Sequence, residues 1–299
     1  MKRIPLTVLV AGLAWLAAHT ARAEIRVVDD SGAAVVLKTP ARRIISLAPH
    51  TTELLFAAGA GDRIVGTMEY SDYPEAAKHI PRIGNSSLLD MERIVTLKPD
   101  LIVVWLHGSS ASHLEKLRTL GVPIFHNEPR TLADIPRSLL QFGTLTGTEN
   151  EAQPAANAFS SRMAMLRARY ADRSRVTLFW QVWARPLLTI NGRHLINDVI
   201  RLCAGSNIFE RLSPLVPSVS VEAVIDADPE AIVTTSTDAS ARPDDGLDAW
   251  RKFSRLRATS RHNLIVLDAD MIHRSSPRIL DGAAALCEQL EHVRARRSP

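Results

Sequence analysis

Apolar residues fall into two rhythms along this chain. Short solid runs occupy residues 44–47, 64–66, 101–105, 122–125, 176–182, 231–235 and 264–267. Runs of that length, mostly apolar and without strict alternation, predict strands buried on both faces. Between them the apolar residues recur every three or four positions, which predicts helices. One such helix carries Leu54, Leu55 and Ala58, with Thr51 or Thr52 as its cap and Gly59 and Gly61 as its stop. Others cover residues 91–97, 131–145 and 195–202. A last one opens at Ser276-Pro277, with a cap and a first-turn proline, and turns Leu280, Ala283, Cys287 and Leu290 to one side. Alternating strands and helices predict an α/β fold with helices on both faces of a sheet.

Residues 155–173 break the alternation. Ala155, Phe159, Met163, Leu166 and Tyr170 lie on one face of a single long helix, which would span about 28 Å. Pro154 marks its start or a kink. The pattern divides the chain into a first α/β lobe over 24–148, a linking helix over 149–174 and a second α/β lobe over 175–299. An internal echo supports two similar lobes. Residues 91–104 align with 221–234 at a constant offset, and in both copies a glutamate, Glu92 or Glu222, stands seven positions before a proline, Pro99 or Pro229. The loop at 236–246, rich in Asp, Ala and Ser, is expected to be exposed.

The N-terminus alters the reading of charge. Lys2 and Arg3, the apolar stretch 6–18 and the Ala21-Arg22-Ala23 site predict a secretory signal peptide over 1–23. No cysteine follows the cleavage site, so a lipid anchor there has no nucleophile. Cleavage removes Lys2, Arg3 and Arg22 and no acid, so 36 basic residues become 33 against 32 acidic ones. A mature chain near +1 excludes the basic footprint of a nucleic-acid binder. The tail Arg294, Arg296 and Arg297 is expected to be a solvated end. No other run is long enough to span a bilayer. Two cysteines, Cys203 and Cys287, invite one disulfide in an oxidising compartment, the alternative being two buried thiols.

Several segments carry a likeness. Residues 43–54, Arg-Ile-Ile-Ser-Leu-Ala-Pro-His-Thr-Thr-Glu-Leu, resemble the opening signature of the class III periplasmic binding proteins of ABC importers, as do residues 90–102. Within that family Tyr70-Ser71-Asp72-Tyr73-Pro74, the strand ending at Trp105, residues 202–209 and residues 270–279 resemble the cobalamin-binding members. The resemblance implies two Rossmann-like lobes joined by one long rigid helix, with a ligand cleft between them. It implies a periplasmic monomer that carries a corrinoid as cargo, uses no cofactor and delivers to a permease dimer in the inner membrane. Haem or a ferric siderophore is the alternative cargo, and a sensory or partner-binding module the alternative role. Ligand contacts carry over to Tyr70, Trp105, Asp270 and Arg274, and permease docking to Glu92 and Glu222. Cys203 and Cys287 fall where those relatives carry a disulfide. Ser86 and Val216 depart from the family, standing where well-known cobalamin binders have Trp; His50 stands where a small residue is usual.

The residues themselves permit that chemistry. A broad, amide-fringed, partly apolar ligand needs flat aromatic walls and a few orienting polar groups. Tyr70 and Trp105 can supply walls from the first lobe and Trp183 from the second, although a Trp at a strand end also suits a core. Asp270 and Arg274 could bind ligand amides or pair with each other. Glu92 and Glu222 suit bidentate pairing with arginine, or serve only as acids in a helix's first turn. His50, His107 and His126 show no metal-binding spacing. No G-x-S-x-G, P-loop or dinucleotide fingerprint is present, so binding rather than catalysis is expected.

Overall fold

The computed structural model describes residues 24–237 and 246–297. The expected leader and most of the 236–246 loop lie outside the described residues. The first lobe opens on an antiparallel hairpin, β1 (Ile25–Val28) and β2 (Ala34–Leu37). It continues with β3 (Ile44–Ser46), α1 (Pro49–Ala57), β4 (Ile64–Thr67), α2 (Met91–Thr96), β5 (Leu101–Trp105), α3 (Ala111–Arg118), β6 (Ile124–Asn127) and α4 (Asp134–Thr146). Helix α5 (Glu149–Tyr170) leads to the second lobe. There follow β7 (Val176–Trp180), a small hairpin of β8 (Trp183–Ala184) and β9 (Leu187–Leu188), α6 (Leu195–Leu202), β10 (Gly205–Asn207), α7 (Val221–Ala227) and β11 (Ala231–Ser236). Then α8 (Asp248–Arg251), α9 (Arg257–Ser260), β12 (Leu264–Asp268), α10 (Ala269–Ile272) and α11 (Ile279–Ala295) complete it.

Each lobe holds one four-stranded parallel sheet, in the orders β4-β3-β5-β6 and β10-β7-β11-β12. Taken by position in the chain, both read second, first, third, fourth. The echoed segments are therefore equivalent: α2 leads to β5 and α7 to β11, the third strand of each sheet. In such sheets the connections leave in opposite directions on either side of the first strand, which opens a crevice beyond the carboxyl ends of the first and third strands. In the first lobe that crevice lies past Ser46 and Trp105.

One continuous apolar core runs through both lobes. It joins Ile44, Phe125 and Phe142 to Ala152, Ala156, Phe159 and Tyr170 of α5, and onward to Val176, Trp180, Ile200 and Leu286. Twenty-two residues give α5 a length of about 33 Å. Its Arg162 also pairs with Asp281 of α11 at 2.6 Å. The linking helix is thus packed along both lobes.

Four local expectations are corrected. Thr51 and Thr52 do not cap α1; Pro49 occupies the first turn with Ala48 as N-cap, because its fixed φ is already helical. The two threonine hydroxyls bond Ser46 Oγ at 2.7 and 2.8 Å instead. Pro154 does not begin α5, which starts five residues earlier; in the second turn it forfeits a single backbone bond. Strand β6 starts at Ile124, since Pro123 has no N–H to give the ladder, although its carbonyl accepts from Ile102. Ser276 does not cap α11; its hydroxyl is drawn to Glu53, and the helix begins at Ile279.

The C-terminal arginines are not a solvated end. Arg294 donates to the carbonyls of Ser174 and Cys203. Arg297 grips Glu230 at 2.7 and 2.9 Å, and these bonds hold the Glu230 carboxyl below its ordinary range against the opposing effect of burial. Arg296 donates to the His262 carbonyl. The tail fastens α11 to the near ends of β7, β11 and β12.

Candidate functional site

A cleft of about 600 Å³ lies between the lobes. The first lobe contributes Trp105, His107, Glu128, Pro129 and Arg130, at or just past the carboxyl ends of β5 and β6. From the second lobe come Val182, past the end of β7, Arg193 to Ile196 at the start of α6, Leu215 and Val216, and Ile272 and His273 of and after α10. Most of the exposed surface of this lining is apolar.

Trp105 is the one large aromatic in the lining. It ends β5, paired in register with Asn127, and is 44 % exposed. Two neighbours fix its ring. Gly108 lies so close that an added Cβ would sit 1.9 Å from the indole. His50 meets it edge-on at 5.6 Å and 84°. His50 is buried, and its Nε2 has no hydrogen-bond partner. Burial pushes its pKa down to about 4, assisted by the Arg274 charge and opposed by a bond to the Asn127 backbone. The ring is therefore neutral and wedged between the ends of the two strands.

A second cluster ties the lobes together at the lip. Glu53 of α1 is buried. Its carboxylate accepts from Arg278 Nη2 at 2.7 Å, Arg278 Nε at 3.0 Å and the Ser276 hydroxyl at 2.5 Å, with Arg274 Nη1 at 3.6 Å. Arg274 donates to Asp270 at 2.6 Å and to the Tyr70 carbonyl at 2.8 Å. Arg82 holds the same loop from the first lobe, donating to the carbonyls of Met68 and Ser71 and to Asp72. Tyr70 sits at φ 65°, a left-handed conformation that costs a non-glycine residue about 1 kcal/mol. The two arginines offset that strain and leave its side chain largely in solvent.

The remaining expected residues scatter. Val216 lines the cleft, half-exposed. Ser86 belongs to a separate small niche with Leu47, Met68, Leu89 and His113. Trp183 stands in solvent on β8, its indole N–H donating to the Arg185 carbonyl. His126 is engaged with Asp29 of the N-terminal hairpin turn at 2.7 Å, and His107 with Glu128. Glu92 and Glu222 are exposed at equivalent positions, the second residues of α2 and α7, after N-caps Asp90 and Ser220. Sequence reasoning passed over Glu53 and Arg278, whose partners are 225 positions apart, and over His194 and Arg193 in the lining. Another cavity, of about 550 Å³ between the end of α5 and α6, is rimmed by Arg167, Arg173, Arg175 and Arg201; it offers no aromatic wall beyond buried Tyr170.

Acidity acts on the site through its histidines. His194 caps α6 by accepting the Ile196 N–H on Nδ1 at 3.2 Å, which requires a neutral ring. Burial, with a smaller contribution from His273, lowers its pKa to about 4. A histidine whose folded pKa is depressed stabilises the fold fully above its unfolded value near 6.5, and that stability is lost as pH falls towards 4. The melting temperature is therefore expected to fall between pH 7 and 4. His194→Asn, which can still cap but does not titrate, should fall less over that window; equal slopes in thermal melts would remove His194 from the account.

The chain matches the periplasmic binding protein family over residues 44–271. It belongs to that family. It is 36 % identical over 258 residues to the vitamin B12-binding protein of Vibrio parahaemolyticus, covering 86 % of this chain and 92 % of that one. To the vitamin B12-binding protein of Yersinia pestis it is 37 % identical over 253 residues, 85 % of this chain and 88 % of that one. The crystal structure of the periplasmic vitamin B12-binding protein BtuF of Vibrio cholerae superposes with a TM-score of 0.77 at 36 % identity, covering 85 % of this chain and 98 % of that one. A haem-binding periplasmic protein, BhuT, shares the fold at a TM-score of 0.75 and 18 % identity, with 85 % and 100 % coverage. The two-lobed α/β fold with one long connecting helix is thus a family property. No helix among the described residues is long and apolar enough to cross a membrane.

Proposed function

We propose that this chain captures a cobalamin-type corrinoid in the cleft between its lobes, in the periplasm, and delivers it to the permease dimer of an ABC importer. The observation that carries the reading is the cleft itself. It is interlobe, mostly apolar and walled by Trp105, whose ring is held rigid by His50 and Gly108. A rigid indole gives a flat ligand contact area at little conformational cost. Relatives above 35 % identity that bear the vitamin B12-binding name support the choice of cargo.

In this reading Trp105 forms the floor and Val216 faces it from the second lobe. A valine there leaves more room than a tryptophan would. Tyr70 and Trp183 are exposed aromatics outside the lining, available in this reading to close on a bound ring. Asp270 and Arg274 orient ligand amides from the lip; Arg274 already spends donors on Asp270 and Tyr70. The neutral, buried His50 ring acts from behind, backing the Trp105 indole rather than touching ligand. Glu92 and Glu222 present carboxylates from equivalent places on the two lobes. In Glu222, bonds from its own N–H and the Ser220 hydroxyl keep the carboxyl below the ordinary range, so it stays charged. Such a pair suits bidentate bonds to permease arginines.

Calorimetric titration with cyanocobalamin tests the reading. One-to-one binding is expected, weakened at least about tenfold by Trp105→Ala. The double variant Glu92→Ala/Glu222→Ala should bind as the unaltered protein does yet lower corrinoid uptake in cells at least about tenfold. Binding of haem with no heat from cyanocobalamin would sink the choice of cargo. Unchanged uptake by the double variant would sink the docking role.

A further inference from the structure

We infer that the cleft reads an anionic group on its ligand through Arg193 and Arg130, and so selects complete corrinoids, whose nucleotide loop carries a phosphodiester, over truncated ones that lack it. The inference rests on the corrinoid reading above and adds a discrimination within that class.

The charge of the lining is the first observation. Arg130 enters from the first lobe and Arg193 from the second, and both border the same cleft. The lining holds one carboxylate, Glu128, and it is already engaged: the His107 ring bonds its Oε2. The same oxygen lies 3.7 Å from Arg130 Nη2, too far for a hydrogen bond. Arg193 has no described carboxylate within ion-pair reach; its Nη2 donates to the neutral Ser213 carbonyl. Two guanidiniums stand against one carboxylate, so the fixed charges of the lining sum to +1 before any histidine is counted; the His194 ring is kept neutral by its cap.

Positioning is the second observation. The Arg193 backbone is pinned, its N–H donating to Asn191 Oδ1 at 2.9 Å, while Asn191 itself is buried and anchored to the Leu212 and Ser213 carbonyls. The guanidinium leaves from the turn that immediately precedes α6, and Leu195 and Ile196 of that helix also line the cleft. The positive end of the helix and the side chain therefore act on one region.

Chemistry selects the partner. The corrin ring and its amide fringe require apolar walls and neutral hydrogen bonds, which the rest of the lining supplies. A guanidinium can donate to an amide carbonyl, but its charge is matched only by an anion. A phosphodiester is a monoanion with two acceptor oxygens in the geometry that a guanidinium fork matches. It is opposite in sign to the excess fixed charge of the lining. Haem propionates share the negative charge, so the test includes haem.

The test is calorimetric titration of the whole protein with cyanocobalamin, dicyanocobinamide and haem. Binding of cyanocobalamin about tenfold tighter than dicyanocobinamide is expected. Arg193→Ala should weaken cyanocobalamin about tenfold and dicyanocobinamide less than about twofold, and Arg193→Lys should restore part of the loss. Added salt should narrow the preference, because both arginine side chains are open to solvent. Equal affinity for the two corrinoids, or equal losses for both on Arg193→Ala, overturns the inference and leaves the corrinoid reading standing. Binding of neither corrinoid, or of haem alone, overturns the reading and the inference with it. Thermal melts of each variant separate lost binding from lost folding.

Discussion

Glu53→Ala is expected to lower the unfolding free energy by about 3–5 kcal/mol, the cost of leaving buried charges without their partner. Glu53 lies on α1 in the first lobe, and every side chain that donates to it comes from residues 276–278 of the second. Its bidentate bond with Arg278 raises the guanidinium pKa further above its ordinary value. Arg278 also stacks over the Tyr73 ring at 3.9 Å, and Arg274 approaches the same carboxylate. Truncation leaves mostly buried Arg278 without its carboxylate, beside Arg274, which keeps Asp270, and a serine hydroxyl that has lost its acceptor. Glu53→Gln keeps an acceptor and should cost less. Urea unfolding of Glu53→Ala, Arg278→Ala and the double variant gives the coupling directly. A loss below about 1 kcal/mol in the single variant would mean that water reaches the cluster and screens it.

That cluster bears on function. The lobes are joined at one side by α5 and its continuous core, and at the cleft's lip by Glu53 and its arginines. Two attachments leave little freedom for a hinge. A protein so fastened meets its ligand with a cleft already formed, and the cost of ordering on binding is small. The same arginines hold the backbone of the Tyr70 loop, so the latch and the candidate ligand contacts share one set of side chains.

Much of this was legible in the sequence, and the reason is physical. Parallel strands buried on both faces read as solid apolar runs, which is why β3, β5, β7, β11 and β12 stood out. The echo between α2–β5 and α7–β11 was visible because equivalent strands in two sheets face the same burial. Helix starts were less legible. The cap expected of Thr51 or Thr52 yielded to Pro49, and that of Ser276 to a carboxylate 223 positions away. A sequence does not display such a partner: an acid in a helix's second turn looks like any solvated acid. The C-terminal arginines misled for the same reason, since Glu230 lies 67 positions from Arg297. Of the candidate site, Trp105 and His50 were each identifiable, yet only folding brings the ends of β3 and β5 together and sets one ring against the other. Ser86 shows the opposite case, a position taken from family likeness that the fold places in a different niche.

Removal of the Cys203–Cys287 disulfide is the second large expected loss. The bond closes an 84-residue separation that contains β10, β11 and β12, three of the four strands of the second sheet. Freeing a loop of that length returns to the denatured chain an entropy worth about 4–5 kcal/mol at room temperature. Both residues are fully buried, Cys203 just past the end of α6 and Cys287 in the middle of α11. Alanine at both positions adds a small cavity without burying a new polar group, so Cys203→Ala/Cys287→Ala should lose about 3–5 kcal/mol in urea unfolding. Neither cysteine lines the cleft, so the folded fraction should bind ligand with unchanged affinity while the melting temperature falls. The unaltered protein treated with reductant under denaturing conditions should refold to the same lowered stability. A loss under about 1 kcal/mol would place the constraint elsewhere, in a denatured chain that the α5 core and the arginine-clamped tail already keep compact.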